Sequence, residues 1–414
     1  MQNKGEEAIL RGYESMIHAS YPGQYELTWG ILDDTPTVKT VGNVTIFPRR
    51  WVENSVWPSK YYRYNRVIWD FLYAIGLEGK IRNMHTSNPD MKQLADFWRD
   101  MDLMIVGHDG YFKPASAMLL IKAQREGKRS GILGSGFYHL PAGGWREKIQ
   151  RKVYSQCMAV ADFAVFREST PYKYMKALAP AGSVDAVLAP DPAFLMAPAA
   201  PAIVQEVLGK YNWYTSLRRA NRPFIGATVC QNDIHTMPFM QKWNSDMEGY
   251  WKYLAGIFDD FIEKTGEQVI FLPHSIVPGK NDDVENARIV ISNMRHAASC
   301  IVMEDDLPAT TLKGIICQLD FLIGQRTHSL IGSVGVQTAA VAITSSRDGR
   351  THEILKDFAG FSENIINIDE VPAQKAGEIA IQNYQNRVKL KEEVTRHYQQ
   401  IREQLMAVSS GLIK

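Results

Sequence analysis

The feature that most constrains this fold is an alternation of short apolar runs with amphipathic segments, repeated along nearly the whole chain. Short runs bounded by turn residues and separated by helix-length patterns are the signature of βαβ units and parallel sheets. The stretch 319–336 is the clearest case. Residues 319–323 read as a buried strand, Gly324 breaks it, and 329–336 has the small, apolar look of a helix packed on a sheet. Arg326 and His328 therefore fall where a parallel strand hands over to a helix. Open α/β sheets bind ligands at that end of their strands, and helix-terminal N–H groups there favour anions. Spaced two apart on extended backbone, the two side chains are expected to point the same way. One is a permanent planar cation and the other exchanges a proton near neutral pH. Such a pair suits a multiply charged anion that must be protonated. The structural alternative has Arg326 capping a carbonyl and His328 satisfied within the core.

The pattern predicts a helix over 6–19, a strand over 26–32 and a helical, aromatic-laden region over 51–77. Strands follow at 103–106, 131–133, 163–166 and 184–188, with helices at 114–125, 145–161 and 171–178. Residues 196–202 are rich in proline and alanine and read as the start of a linker. A second set of strands is expected at 223–229, 268–272, 299–303, 319–323, 339–343 and 365–368, with helices at 243–264, 283–294 and 309–317. Residues 373–405 carry one long polar helical pattern. The expected architecture is α/β, with two Rossmann-like domains facing a cleft. An N-terminal domain takes 1–198, a linker 199–220, a C-terminal domain 221–385, and a helix over 386–414 is available to cross back to the first domain.

At 414 residues two domains are the natural expectation. Lys and Arg number 46 against 45 Asp and Glu, so no global field draws the chain to nucleic acid or anionic lipid. Any anion site must be local. Cys157, Cys230, Cys300 and Cys317 are far apart with no histidine at ligand spacing, which argues against zinc or a disulfide scaffold and fits a reducing compartment. No apolar run approaches the ~18 residues of a spanning helix, and Met1 is not followed by a signal region. A cytoplasmic protein is expected, with no metal and at most peripheral membrane contact at the inner face.

Five motifs in order then resemble one family, the polysaccharide pyruvyl transferases. Asn3-Lys4-Gly5-Glu6-Glu7-Ala8-Ile9-Leu10 resembles its opening element, and Val165-Phe166-Arg167-Glu168-Ser169 its Arg-acid element. Asp191-Pro192-Ala193-Phe194-Leu195 is similar to its D-P-A-F turn, and Phe271-Leu272-Pro273-His274 to its strand-end histidine. Gly324-Gln325-Arg326-Thr327-His328 with Gly332-Ser333-Val334-Gly335-Val336 resembles its R-x-H signature. The resemblance implies a GT-B-like fold with the donor on the second domain and the acceptor on the first. It implies transfer of a pyruvyl group from phosphoenolpyruvate to a sugar of a cell-surface polysaccharide or its precursor, lipid-linked acceptors included. The product is a cyclic ketal, phosphate is released, and no cofactor beyond phosphoenolpyruvate as co-substrate is expected. Two alternatives are a nucleotide-sugar glycosyltransferase on the same fold and a non-catalytic sugar or anion binder.

Phosphoenolpyruvate carries a carboxylate and a phosphate, which suit planar guanidinium forks. Arg326 and Arg167 are the candidate forks, His328 the candidate acid toward the methylene carbon, and Thr327, Ser333 and His274 complete the expected donor side. His274 has a backbone-bonded alternative, and Arg167 a surface ion pair with Glu168. Asn3, Gly5, His108, Asp109, Gly134 and Ser135 are expected at the acceptor side or cleft. Gly131-x-x-Gly134-x-Gly136 lacks the Lys-Ser/Thr of a P-loop and reads as a tight turn. Glu304-Asp305-Asp306 reads as capping and solvation, and the rings from Trp51 to Tyr73 mostly as packing. Relatives usually carry an apolar strand before the opening element, so the first sheet is expected to lack a central strand. The family lysine after the last long strand is absent, with Arg347 or Arg350 as stand-ins.

Overall fold

The structure is a computed structural model that describes residues 4–23, 27–33, 38–41, 43–48, 96–107, 112–137, 144–231, 243, 246–277, 281–345 and 349–412. Asn3, His108, Asp109, Arg347, the aromatic stretch 51–77 and the Arg350 side chain lie outside the described residues. The chain forms two compact units, one of 21–189 and a larger one of 1–20 with 190–414.

Helix α1 (Lys4–Ser20) opens the chain. The smaller unit follows. Strands β1 (Trp29–Asp33), β2 (Lys39–Val41) and β3 (Val44–Pro48) make a three-stranded sheet in the order β1-β3-β2. Then come β4 (Leu103–Val106), α2 (Pro114–Arg125), β5 (Arg129–Ser135), α3 (Trp145–Val160), β6 (Phe163–Phe166), α4 (Ser169–Leu178) and β7 (Ala186–Leu188). Here β4 to β7 pair in sequence order, all parallel. Met118, Ile121, Ile132, Val153, Cys157 and Phe166 form the core under this sheet. Gly134 adopts a φ of +65°, and the β5–β6 register shifts between Leu133 and Ser135. That left-handed residue costs glycine little and lets the strand turn at its end.

The larger unit resumes with a 3₁₀ turn, Pro192–Leu195, then α5 (Pro201–Gly209) and α6 (Asn212–Arg219). The expected linker over 199–220 is therefore two helices. Pro201 sits at the first turn of α5, where a missing N–H costs nothing, and Val204, Leu208, Tyr214 and Leu217 are buried. Next are β8 (Ile225–Thr228), α7 (Met247–Thr265), β9 (Val269–Phe271), the short pair β10 (Ile276–Val277) and β11 (Asn281–Asp282), and α8 (Asp283–Ser292). The chain continues with β12 (Cys300–Val302), α9 (Ala309–Cys317), β13 (Phe321–Gly324), α10 (Thr327–Gly335), β14 (Ala340–Thr344), α11 (Gly349–Asp357) and β15 (Ile365–Asn367). Two helices end it, α12 (Ala373–Gln385) and α13 (Arg387–Leu412), where one long helix was expected.

Six parallel strands order as β12-β9-β8-β13-β14-β15. In sequence rank this is 3-2-1-4-5-6, the doubly wound dinucleotide-fold order, and the crossover direction reverses between β8 and β13. Strands of a sheet covered on both faces must be apolar throughout, and β8, β9, β13 and β14 are fully buried.

Helix α1 belongs with this larger unit and not with the first domain as the sequence suggested. Its buried face (Ala8, Ile9, Met16, Ile17) is complemented by Gly12, where a Cβ would stand 2.2 Å from the Pro192 carbonyl oxygen. Only glycine permits that approach. Helix α13 buries Val394, Ile401, Leu405, Ser409 and Leu412, and it meets α1 where Ser409 Oγ donates to Met16 O at 3.2 Å.

Candidate active site

The site in the larger unit is built around the switch between β8 and β13. Gln325, first residue past β13, bridges the two strands: its N–H donates to Thr228 O at 3.0 Å and its Oε1 accepts from Cys230 N–H at 2.9 Å. Its amide also donates to Tyr250 Oη, which donates in turn to Cys230 O at 2.8 Å. This buried polar network fixes the backbone on which the next residues are carried. Arg326 is the N-cap of α10 in extended conformation, while His328 lies inside the helix's first turn. The expectation of two side chains aligned on extended backbone is corrected accordingly, because α10 starts at Thr327 rather than Ser329.

Arg326 is braced by a carboxylate that the sequence reading missed. Asp283, only 3% exposed at the start of α8, receives the guanidinium through Nε (3.1 Å to Oδ1, 3.0 Å to Oδ2) and through Nη2. The same carboxylate accepts the backbone N–H groups of His274 at 2.8 Å and Ser275 at 3.0 Å. Charge-assisted bonds of this kind are about twice as strong as neutral ones. The Arg326 side chain keeps 17% of its surface exposed, an edge from which a planar cation can still meet an anion.

His328 has its own carboxylate. Its Nε2 stands 3.9 Å from Asp191 Oδ2, with the imidazole side chain 10% exposed and Asp191 fully buried. Asp191 caps the 3₁₀ turn by accepting from Ala193 N–H at 2.8 Å, so its orientation is set by backbone. At 3.9 Å this contact is electrostatic rather than a hydrogen bond.

His274 follows β9. Burial pushes its imidazole down to about 3, with Arg326, His328 and Lys4 adding to the shift and the Leu272 carbonyl opposing it. The ring is therefore neutral at physiological pH, with Nδ1 3.5 Å from Leu272 O. The start of α1 joins here: Lys4 N–H donates to His274 O at 3.4 Å, and Lys4 Nζ pairs with Asp306 at 2.6 Å. Gly5 is buried in the same first turn. Lys4, Ala8, His274, Leu312, Lys313 and His328 line a small pocket of about 10 Å³, room for about one water. Of the acidic run, Asp306 thus pairs with Lys4, and Glu304 pairs with Arg288.

Two expected donor ligands are engaged elsewhere. Ser333 is fully buried and its hydroxyl donates back to Leu330 O at 2.8 Å, and Thr327 Oγ1 is 2.6 Å from Thr351 Oγ1. The Thr327 hydroxyl ties α10 to α11, while the Ser333 hydroxyl is spent within α10. In the smaller unit Arg167 is fully buried and its Nε lies 3.4 Å from Glu168 Oε1. The ion pair weighed from sequence is present, buried rather than on the surface. The Glu168 carboxylate lies over Gly136, where a Cβ would meet Oε1 at 2.2 Å, and Ser135 Oγ donates to Val106 O at 3.0 Å. Gly134 and Ser135 thus lie at the end of β5, and Arg167 and Glu168 are the two residues that follow its partner β6.

The sheet order and the strand-end position of these groups define a doubly wound α/β protein with its candidate site at the topological switch point. Residues 3–347 match the family model of the polysaccharide pyruvyl transferases, and the chain belongs to that family. No curated protein matches it in sequence. Among solved structures it is similar to a trehalose-6-phosphate structure from E. coli bound with UDP-2-fluoro glucose, at 11% identity and a TM-score of 0.51, covering 97% of this chain and 94% of that one. It is also similar to a protein assigned as UDP-N-acetylglucosamine 2-epimerase in Listeria monocytogenes, at 9% identity and 0.51, covering 95% and 89%. These likenesses show a GT-B-like fold. No described helix is long and apolar enough to cross a membrane.

Proposed function

We propose that this chain transfers the pyruvyl group of phosphoenolpyruvate to two hydroxyls of a sugar in a cell-surface polysaccharide or its precursor. The observation that carries the reading is the placement of each of the two side chains past β13 beside its own buried carboxylate, Arg326 by Asp283 and His328 by Asp191. A braced guanidinium is pre-organised to hold an anion, and an imidazole backed by a carboxylate is suited to deliver a proton.

His328 protonates the methylene carbon of phosphoenolpyruvate, giving an oxocarbenium-like centre at C2. One sugar hydroxyl attacks C2 and returns its proton to His328. Phosphate leaves with the bonding pair of the C2–O bond, the second hydroxyl closes the ring, and its proton goes to the departing phosphate. One C–H and two C–O bonds form, and the products are the ketal and inorganic phosphate. Arg326 binds the donor's phosphate or carboxylate, the first turn of α10 offers N–H groups to its oxygens, and neutral His274 orients the donor.

Incubation of the protein with phosphoenolpyruvate and a panel of free, nucleotide-linked and lipid-linked sugars tests the reading. Acceptor-dependent phosphate release is expected. Thermal stabilisation by a nucleoside diphosphate and none by phosphoenolpyruvate would refute it, since a ligand at 100 times its Kd stabilises by about 2.7 kcal/mol.

A further inference from the structure

Lys313 is a buried lysine that the proposed chemistry leaves unused. It lies on α9 with 1% of its surface exposed, and its Nζ donates to two backbone carbonyls of the 3₁₀ turn, Phe194 O at 3.0 Å and Ala193 O at 3.3 Å. Helix α10 is shaped around the same contact. At Gly335 a Cβ would stand 2.5 Å from Lys313 Nζ and 2.5 Å from Phe194 O. The 3₁₀ turn and α10 are thus joined at both ends. Asp191 meets His328 at one end, and Lys313 ties Phe194 beside Gly335 at the other. Gly12 of α1 closes on Pro192 from a third side.

We propose that Lys313 is a positioning residue, which locks the 192–195 turn against α10 and thereby sets the approach of the Asp191 carboxylate to His328. The inference rests on the reading of His328 as the acid. Burial pushes the Lys313 ammonium down to about 7, as expected where two carbonyls replace a full hydration shell. Retaining a lysine in such a place needs a reason beyond packing, because an apolar side chain of similar volume is often no less stable there.

The test uses the full chain with Lys313→Met and, as an independent disturbance of the same contact, Gly335→Ala. The ring resonances of His328 are followed in ¹³C-histidine-labelled protein and assigned by their loss in His328→Gln. Phosphate release from phosphoenolpyruvate is measured in parallel. Both variants are expected to move the His328 resonances. The kcat should fall roughly 10- to 100-fold while the KM for phosphoenolpyruvate stays within about twofold, as for a misplacement of order 1 Å. Unmoved His328 resonances in a folded variant would overturn the inference, as would a raised KM at unchanged kcat. If Lys313→Met does not fold, Gly335→Ala decides. If the wild-type protein releases no phosphate, the pyruvyl transfer reading fails, while the resonances still decide whether Lys313 positions His328.

Discussion

Each unit places an arginine just beyond the end of a parallel strand, and the two are held in opposite ways. Arg326 is braced by Asp283, 43 residues away on another helix, and keeps a partly exposed edge. Arg167 is braced by its own neighbour Glu168 and is sealed completely. A pair between chain neighbours closes no loop, whereas a pair 43 residues apart forms only when α8 and β13 have docked. The Arg326 site is therefore a product of tertiary structure, and its geometry reports the integrity of the whole larger unit.

Removing the long-range brace should have the largest effect. Asp283→Ala leaves a mostly buried guanidinium and two backbone N–H groups without their carboxylate. Loss of about 3–5 kcal/mol in urea unfolding is expected, together with weaker phosphoenolpyruvate binding by calorimetry. A variant as stable as the parent would show that Arg326 does not depend on Asp283. Arg167→Met should cost a similar or slightly smaller amount, about 3 kcal/mol, by stranding the buried Glu168. Adding Glu168→Gln, which removes the stranded charge, should restore part of it. If the double variant is no better than the single one, the local pair is not what holds that strand end.

Gly12→Ala sharpens the contrast from a second long-range contact. Its new methyl must displace the Pro192 carbonyl, and overpacking of this kind costs about 1–3 kcal/mol. Denaturant unfolding at unchanged m-value checks it. The last effect is electrostatic and is spread over a range of pH. Below pH 6.5 the unfolded chain protonates His274, while the folded chain keeps it neutral down to about pH 3. Stability should fall with falling pH through that window, by up to about 1.4 kcal/mol per pH unit from this group. His274→Gln should flatten the slope between pH 6.5 and 5; an unchanged slope would show that His274 is not the group responsible.

Much of the framework was legible from residue pattern, because strands buried on both faces are runs of apolar residues with turn residues at their ends. The strands at 103–106 and 163–166 and the helices at 114–125 and 309–317 lie where the pattern puts them. The helices α5 and α6 were hidden by a Pro-Ala composition that reads as linker, although Pro201 at a helix start and Val204 with Leu208 four apart were available signals. The break between α12 and α13 at Asn386 leaves helical periodicity almost intact, with Arg387 bonding Tyr384 O at 3.1 Å across it. Arg326, His328 and His274 were singled out by residue type and by their place at strand ends, and the structure brings them near one another. Asp283 and Lys313 were not singled out, since a helix-start aspartate and a helical lysine are commonplace until tertiary packing buries them. Ser333 and Thr327 show the converse: their hydroxyls bond Leu330 O within α10 and Thr351 on α11, as side-chain hydroxyls often bond groups of the fold itself.

The central claim is that His328 supplies the proton and Arg326 the grip. The direct measurement is phosphoenolpyruvate affinity and acceptor-dependent phosphate release in His328→Ala beside the wild-type protein. Affinity should be retained while release falls by about 10²–10⁴-fold. Release at the wild-type rate from the histidine variant would contradict the account.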